Sequence, residues 1–208
     1  MISELLSLFV VSLPAVFFVV DPIGVVPIFL SMTANDPPEK VRRMALRACV
    51  TGGALLIFFA LFGGVIFKIF SITLAAFRVA GGLLLLITAL DMLNARPART
   101  RTSPTETLEG AEKDDIAVVP LAIPLLAGPG AIATVMVLMS RGTGVWSAIP
   151  VLLSVVLTFA ASYVILRGAT LVQKVLRQTG VAIVERVMGL ILAAIAVQFI
   201  AEGGRALL

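Results

Sequence analysis

No histidine occurs in the 208 residues, and cysteine, tryptophan and tyrosine occur once each. Without histidine the commonest nitrogen ligand for metals is missing, and a lone Cys49 cannot close an internal disulfide or form a dithiol relay. Redox carriers and metal enzymes built on those groups are disfavoured, and no cofactor and no metal site are expected. Charge is scarce too: Asp, Glu, Lys and Arg make up 13% of the chain, about half the ~25% usual in soluble domains. Nucleotide-binding glycine motifs are also missing, so any work done on a solute would draw on an ion gradient or on exchange.

What is present is apolar. Sixty per cent of residues are hydrophobic and the mean hydropathy is +1.11, more apolar surface than a water-soluble fold can cover. The charge-free runs Ala48–Phe67 and Val145–Leu166 have the ~20 residues needed to cross a ~30 Å hydrocarbon core. Four further segments qualify despite interruptions. Leu5–Met32 holds Asp21, Ile72–Leu93 holds Arg78 and Asp91, Ile116–Met139 holds Gly128-Pro129-Gly130, and Val181–Ala201 holds Glu185 and Arg186. The pattern predicts an all-α membrane protein of six transmembrane helices, with the first span retained because its start lacks the basic region of a cleavable signal.

Basic residues divide unevenly between alternate loops. Lys40, Arg42, Arg43, Arg47, Arg96, Arg99, Arg101, Lys113, Arg167, Lys174 and Arg177 fall on one side, against Lys68, Arg141 and Arg205 on the other. The positive-inside bias puts the first side in the cytoplasm and both termini outside, on the periplasmic or extracellular face of a multi-pass inner-membrane protein. The net charge of +4 and a pI near 9.8 then report orientation in a lipid bilayer. No basic stripe with interleaved aromatics is found, and no nucleic-acid partner is expected.

The one long polar stretch, Arg96–Asp115, separates two halves of three spans each: a first repeat over 1–95, a cytoplasmic linker over 96–115 and a second repeat over 116–208. An odd span number gives related halves opposite orientations. Short matches support a relation. Arg78-Val79-Ala80-Gly81 and Arg186-Val187-Met188-Gly189 open spans 3 and 6, while Asp21-Pro22 and Gly128-Pro129 interrupt spans 1 and 4 at nearly the same offset. Inverted repeats of this kind characterise secondary transporters.

Spans 1 and 4 are expected to break mid-membrane. Asp21 suits an N-cap and Pro22 the first helical position, so Asp21-Pro22 starts a new half-helix, with Ile23 and Gly24 in its first turn. Gly128-Pro129-Gly130, followed by Ala131, does the same in span 4. Half-helix starts turn positive ends and unpaired N–H groups toward the membrane middle, a setting for an anionic group. Simple proline kinks that aid packing are the plainer reading. Asp21 fits both a capping role and that of a proton or cation carrier. Arg78, Asp91, Glu185 and Arg186 read as interfacial anchors, and Thr88, Thr134, Thr158, Ser162, Tyr163 and Gln198 as packing groups or cavity lining. Trp146 marks an interface.

The segments DPIGVVPIF (21–29) and AIPLLAGPGAIAT (122–134), the six-span layout and the basic linker resemble the MarC family of bacterial inner-membrane proteins over essentially the whole chain. That family includes a member described as a neutral amino acid transporter. The resemblance implies a secondary transporter of a small solute such as a neutral amino acid, working by alternating access. From the residues themselves, a substrate site is expected over Asp21, Pro22, Ile23, Gly24, Gly128, Pro129, Gly130 and Ala131: the half-helix ends at Pro22–Gly24 and Pro129–Ala131 would hold the carboxylate, and Asp21 the amino group or a coupling ion, H+ or Na+. Redox carriers of similar shape carry cysteines in spans 1 and 4, where this chain has none. A non-transporting scaffold or assembly factor is the alternative, separated by solute uptake in liposomes. An intramembrane enzyme is the third reading, and the missing histidine and catalytic pairs count against it. Import or export and oligomeric state are not encoded legibly.

Overall fold

The computed structural model describes residues 2–94, 117–141 and 145–207, and within them the chain is helical with no strands. The linker expected over 96–115 lies outside the described residues. Seven helices follow in order: α1 (Ile2–Val20), α2 (Pro22–Met32), α3 (Pro38–Ile69), α4 (Leu74–Leu93), α5 (Pro129–Met139), α6 (Ala148–Arg167) and α7 (Ala169–Leu207). Five stretches are long and apolar enough to cross a membrane: Ser3–Met32, Pro38–Ile69, Leu74–Leu93, Ala148–Arg167 and Thr179–Leu207. Ala117–Leu126 and Pro129–Met139, bent by 57° against each other, make a sixth if they count as one span.

Local chemistry sets the boundaries. Proline begins α2, α3 and α5, where its missing N–H leaves no hydrogen bond unmade. Thr73 caps α4 by accepting from Ala76 N at 3.1 Å. α3 is 32 residues long, about 48 Å at 1.5 Å per residue, so it carries Lys40, Arg42, Arg43 and Arg47 on turns preceding its charge-free stretch. α7 bends at Arg177, whose φ of 53° is left-handed. Its first turns therefore form a separate short piece bearing exposed Leu171 and Val175.

Sequence reasoning placed the interruption of the fourth span at Gly128-Pro129-Gly130 alone. The structure finds irregular backbone well before it: Ala117–Leu126 forms wide turns broken by extended backbone at Val119 and Ile123. Both precede prolines, Pro120 and Pro124, which crowd the preceding residue out of the helical region.

Packing runs through small residues. α4 and α7 lie antiparallel: a Cβ on Gly82 would meet Ile200 Cγ1 at 2.7 Å and Ala196 O at 2.9 Å, and one on Gly189 would meet Met92 Cβ at 3.0 Å and Ala89 O at 3.1 Å. α3 and α6 close on Gly52 and Gly53 against the Phe159 ring. In lipid, where hydrophobicity gives helices no reason to associate, close approach through small residues supplies the dispersion contacts that do. α1 packs on α6 and α3 on the 117–126 segment; α2 packs on α7 and α5 on α4. Val20, Val25, Phe29, Leu56, Leu85, Leu126 and Leu192 fill the core, while Phe58, Phe62, Val65, Leu190 and Val197 face outward. The molecule thus has two ends. One gathers the starts of α1, α4 and α6 with Arg78, and the other gathers the starts of α3 and α7 with Arg42.

Candidate functional site

Between α1 and α2 a single residue turns the chain. Asp21 has φ 51° and ψ 59°, a left-handed conformation that short polar side chains tolerate and branched ones do not. Its N–H donates to Phe17 O at 2.9 Å and so finishes α1, and its carbonyl accepts from Val25 N at 3.3 Å and so begins α2. The side chain completes the joint: Asp21 Oδ1 accepts from Gly24 N at 3.1 Å, an N-cap of ~1 kcal/mol. Asp21 is 2% exposed. Its carboxylate therefore lies over the positive end of α2, and a Cβ on Gly24 would run into Asp21 Oδ2.

The start of α5 is built differently. Gly128, the N-cap, is extended with φ −74° and ψ 171° and offers no side chain to the first turn. Its carbonyl accepts from Ile132 N at 3.1 Å, while the N–H groups of a first turn have no intrahelical acceptor. A Cβ on Gly128 would lie 2.7 Å from Pro124 O, so glycine is what lets the preceding segment close on the helix start.

The end of α1 and the start of α5 are neighbours. A cavity of about 20 Å³ is lined by Gly128, Pro129, Gly130 and Ala131 together with Val19, two residues before Asp21. It has room for one water-sized occupant. Leu84, Leu85 and Thr88 of α4 and Leu125 close it. Gly128, Pro129, Gly130 and Ala131 are thus gathered on one cavity; Asp21, Pro22, Ile23 and Gly24 do not line it. Leu84, Leu85 and Leu125 escaped sequence reasoning because no polar atom or glycine marks them.

Larger cavities lie toward each end. One of about 450 Å³ at the Arg42 end is lined by Thr33, Asp36, Arg42, Arg167 and Thr170 among others, and Arg42 Nε donates there to Tyr163 Oη at 3.2 Å. One of about 250 Å³ at the other end includes Ser140. Thr88, Thr134 and Ser162 bond helix carbonyls at Leu84, Gly130 and Thr158, as packing groups do; the buried Thr158 Oγ1 has no hydrogen-bond partner among the described residues. Gln198 joins a group that composition did not reveal: Glu202 accepts from Gln198 and from Arg141, with Arg78 3.9 Å away.

Helices of membrane length, an apolar outer surface and polar groups drawn inward define a multi-pass integral membrane protein. The comparisons give the family. Residues 6–208 match the model described as MarC family integral membrane protein, and the chain belongs to that family. It is 40% identical to the UPF0056 membrane protein MJ0972 of Methanocaldococcus jannaschii over 96% of this chain and 88% of that one. It is 36% identical to UPF0056 membrane protein YvbG of Bacillus subtilis (91% and 90% covered) and 33% identical to UPF0056 membrane protein YhcE of Escherichia coli (90% and 87% covered). No solved structure matches the chain.

Proposed function

We propose that this protein is a secondary transporter that moves a small solute of the neutral amino acid type across the inner membrane by alternating access of two inverted repeats, and that it is not an enzyme. The observation that carries the reading is the pair of proline-started helices, α2 and α5, of which α5 begins on a cavity that Val19, at the end of α1, also lines. Paired interruptions at corresponding positions of two halves are the best pointer to a transporter site. Reciprocal packing supports the repeat: α1 on α6 answers α3 on 117–126, α2 on α7 answers α5 on α4, and α4 against α7 is the self-paired contact.

The two beginnings divide the labour on a zwitterion. The Gly128–Ala131 turn, with no side-chain cap, takes the carboxylate on its N–H groups. The α2 turn already holds an anion of its own, so Asp21 serves the ammonium group or a coupling H+ or Na+. This narrows the reading in which both starts hold the carboxylate. A cavity of about 20 Å³ is too small for an amino acid, so the site must widen to take one, with the Arg42 end as the wider vestibule and as the cytoplasmic side.

Purified protein in liposomes tests the reading. Concentrative uptake of a neutral amino acid under an imposed H+ or Na+ gradient is expected, with the amino acid amide at least about ten times weaker because it forfeits a charge-assisted bond. Asp21→Asn, which keeps a cap, should lose concentrative uptake while exchange persists. No uptake of any neutral amino acid under either gradient, with folded protein, refutes the assignment.

A further inference from the structure

At the Arg42 end of the molecule, the turn after α2, the first turns of α3 and the joint between α6 and α7 line a cavity of about 450 Å³. Two guanidinium groups line it, Arg42 from α3 and Arg167 from the last turn of α6. Arg42 Nε donates to Tyr163 Oη at 3.2 Å. Tyr163 lies one turn before Arg167, so this bond draws Arg42 toward the end of α6. The terminal nitrogens of Arg42 and the whole guanidinium of Arg167 have no protein acceptor among the described residues. Asp36, the acid of the lining, is taken by Lys40 Nζ at 2.8 Å. Thr33 spends its hydroxyl hydrogen on Phe29 O, while Thr170 brings to the lining a hydroxyl with no partner among the described residues. Two like charges drawn to one cavity repel, and an anion seated between them is attracted by both.

The level of the cavity in the bilayer selects the anion. α6 has 20 residues, about 30 Å at 1.5 Å per residue and so about the thickness of the hydrocarbon core. Arg167, at its end, stands among the headgroups. Toward the membrane middle from the two arginines, the outer faces of their helices are apolar. On α3, exposed Leu46 and Val50 follow Arg42 at intervals of four residues, and on α6 exposed Val164 stands one turn before Arg167. α3 and α6 pack on each other through Gly52, Gly53 and Phe159, so the two stripes belong to neighbouring helices. The first turns of α7 add exposed Leu171 and Val175 at the same end. Arginines that merely anchor a helix end in the interface need no cavity. A dissolved anion would use the arginines alone, whereas a lipid uses the charges and the apolar stripes together, as in the basic pockets between membrane helices that hold anionic headgroups.

We propose that this cavity seats the phosphate of an anionic lipid, held between the terminal nitrogens of Arg42 and the guanidinium of Arg167 with the Thr170 hydroxyl alongside, and with an acyl chain along Leu46 and Val50. Arginine suits the task because its planar fork offers phosphate oxygens parallel N–H donors. The phosphate fills only part of the cavity. A dissolved phosphate ester shares the head chemistry and lacks the chain. The site is separate from the starts of α2 and α5 and does not depend on translocation.

The test uses full-length protein in nanodiscs of phosphatidylcholine in which phosphatidylglycerol replaces part of the lipid, with bound lipid counted by native mass spectrometry. Phosphatidylglycerol should be retained in preference, because choline offsets the phosphate charge of the other lipid. Arg42→Gln combined with Arg167→Gln should weaken that retention about tenfold or more. Arg43→Gln combined with Lys174→Gln removes the same charge from exposed residues at the same end that do not line the cavity, and should retain phosphatidylglycerol as the wild type does. All four positions are exposed, so both pairs should fold; Arg167→Gln alone, which removes no contact within the described protein, carries the comparison should the first pair unfold. In a second arm glycerol 3-phosphate is titrated into phosphatidylcholine nanodiscs while thermal unfolding is followed, and should not stabilise the protein. The proposal is overturned if the wild type shows no preference for phosphatidylglycerol, if the two pairs of variants lose it alike, or if glycerol 3-phosphate stabilises the protein while phosphatidylglycerol is not retained.

Discussion

The starts of α2 and α5 solve one problem in opposite ways. At α2 the joint is made by a residue with a charge: Asp21 adopts a left-handed conformation, closes α1 with its N–H and caps α2 with its carboxylate. At α5 the joint is made by a residue with no side chain: Gly128 is extended, and Pro124 O lies where its Cβ would be. The first start is electrostatically finished and the second is open. Each depends on its own residue type, and exchanging the two solutions would fail at both places, through lost capping at one and steric conflict at the other.

Substitutions sharpen that contrast. The largest effect is expected from Asp21→Val, which puts a branched residue at φ 51° and removes the cap. Strain of ~1–3 kcal/mol and a cap of ~1 kcal/mol together predict a loss of about 2–4 kcal/mol, seen as a fall in melting temperature of detergent-purified protein. Stability equal to the wild type would mean that α1 and α2 do not need this joint. Gly128→Ala should come next, at about 1–3 kcal/mol, because its Cβ meets a backbone oxygen that cannot swing aside. Gly130→Ala crowds Leu85 Cδ2, at 2.9 Å, the far end of a flexible side chain, with Val19 Cγ1 in ordinary contact at 3.8 Å. It should cost under about 1 kcal/mol while weakening amino acid binding, and a melting temperature depressed as far as that of Gly128→Ala would remove the distinction between the two glycines. Thr88→Val should be smallest, at about 0.5 kcal/mol, the low end for a single hydrogen bond, since its hydroxyl bonds the Leu84 carbonyl one turn back in the same helix.

Much of this was legible in the chain because it is local. Asp followed by Pro announces a cap and a first turn, found at Asp21 and Pro22, and a helix starts at Pro129 within Gly-Pro-Gly. Apolar length located some spans to within a few residues, as with Ile72–Leu93 expected and Leu74–Leu93 found, but for Ala48–Phe67 the helix begins at Pro38, because its first turns are charged. Asp21's left-handed φ was not legible, since a capping Asp is ordinarily extended. Nor was the irregular stretch before Gly128, where Pro120 and Pro124 were read as part of a helix although each forces its predecessor out of one. The Arg78, Arg141 and Glu202 group was missed for a different reason. Its members are separated by about sixty residues in sequence, and only the antiparallel packing of α4 on α7 and the end of α5 brings them together.

Asp21 also has a consequence for how the chain is made. During synthesis Ser3–Met32 enters the bilayer as one apolar segment of mean hydropathy 2.2. A carboxylate at its centre costs roughly 2.5–3.5 kcal/mol on insertion scales, outweighed by flanking Leu, Val, Ile and Phe at about 0.3–0.6 kcal/mol each. The helices that cover α2, α6 and α7, emerge from the ribosome last. Until they arrive α2 lacks the helices that pack on it, and what the Asp21 carboxylate keeps is its local cap on Gly24 N, made within the segment that enters first.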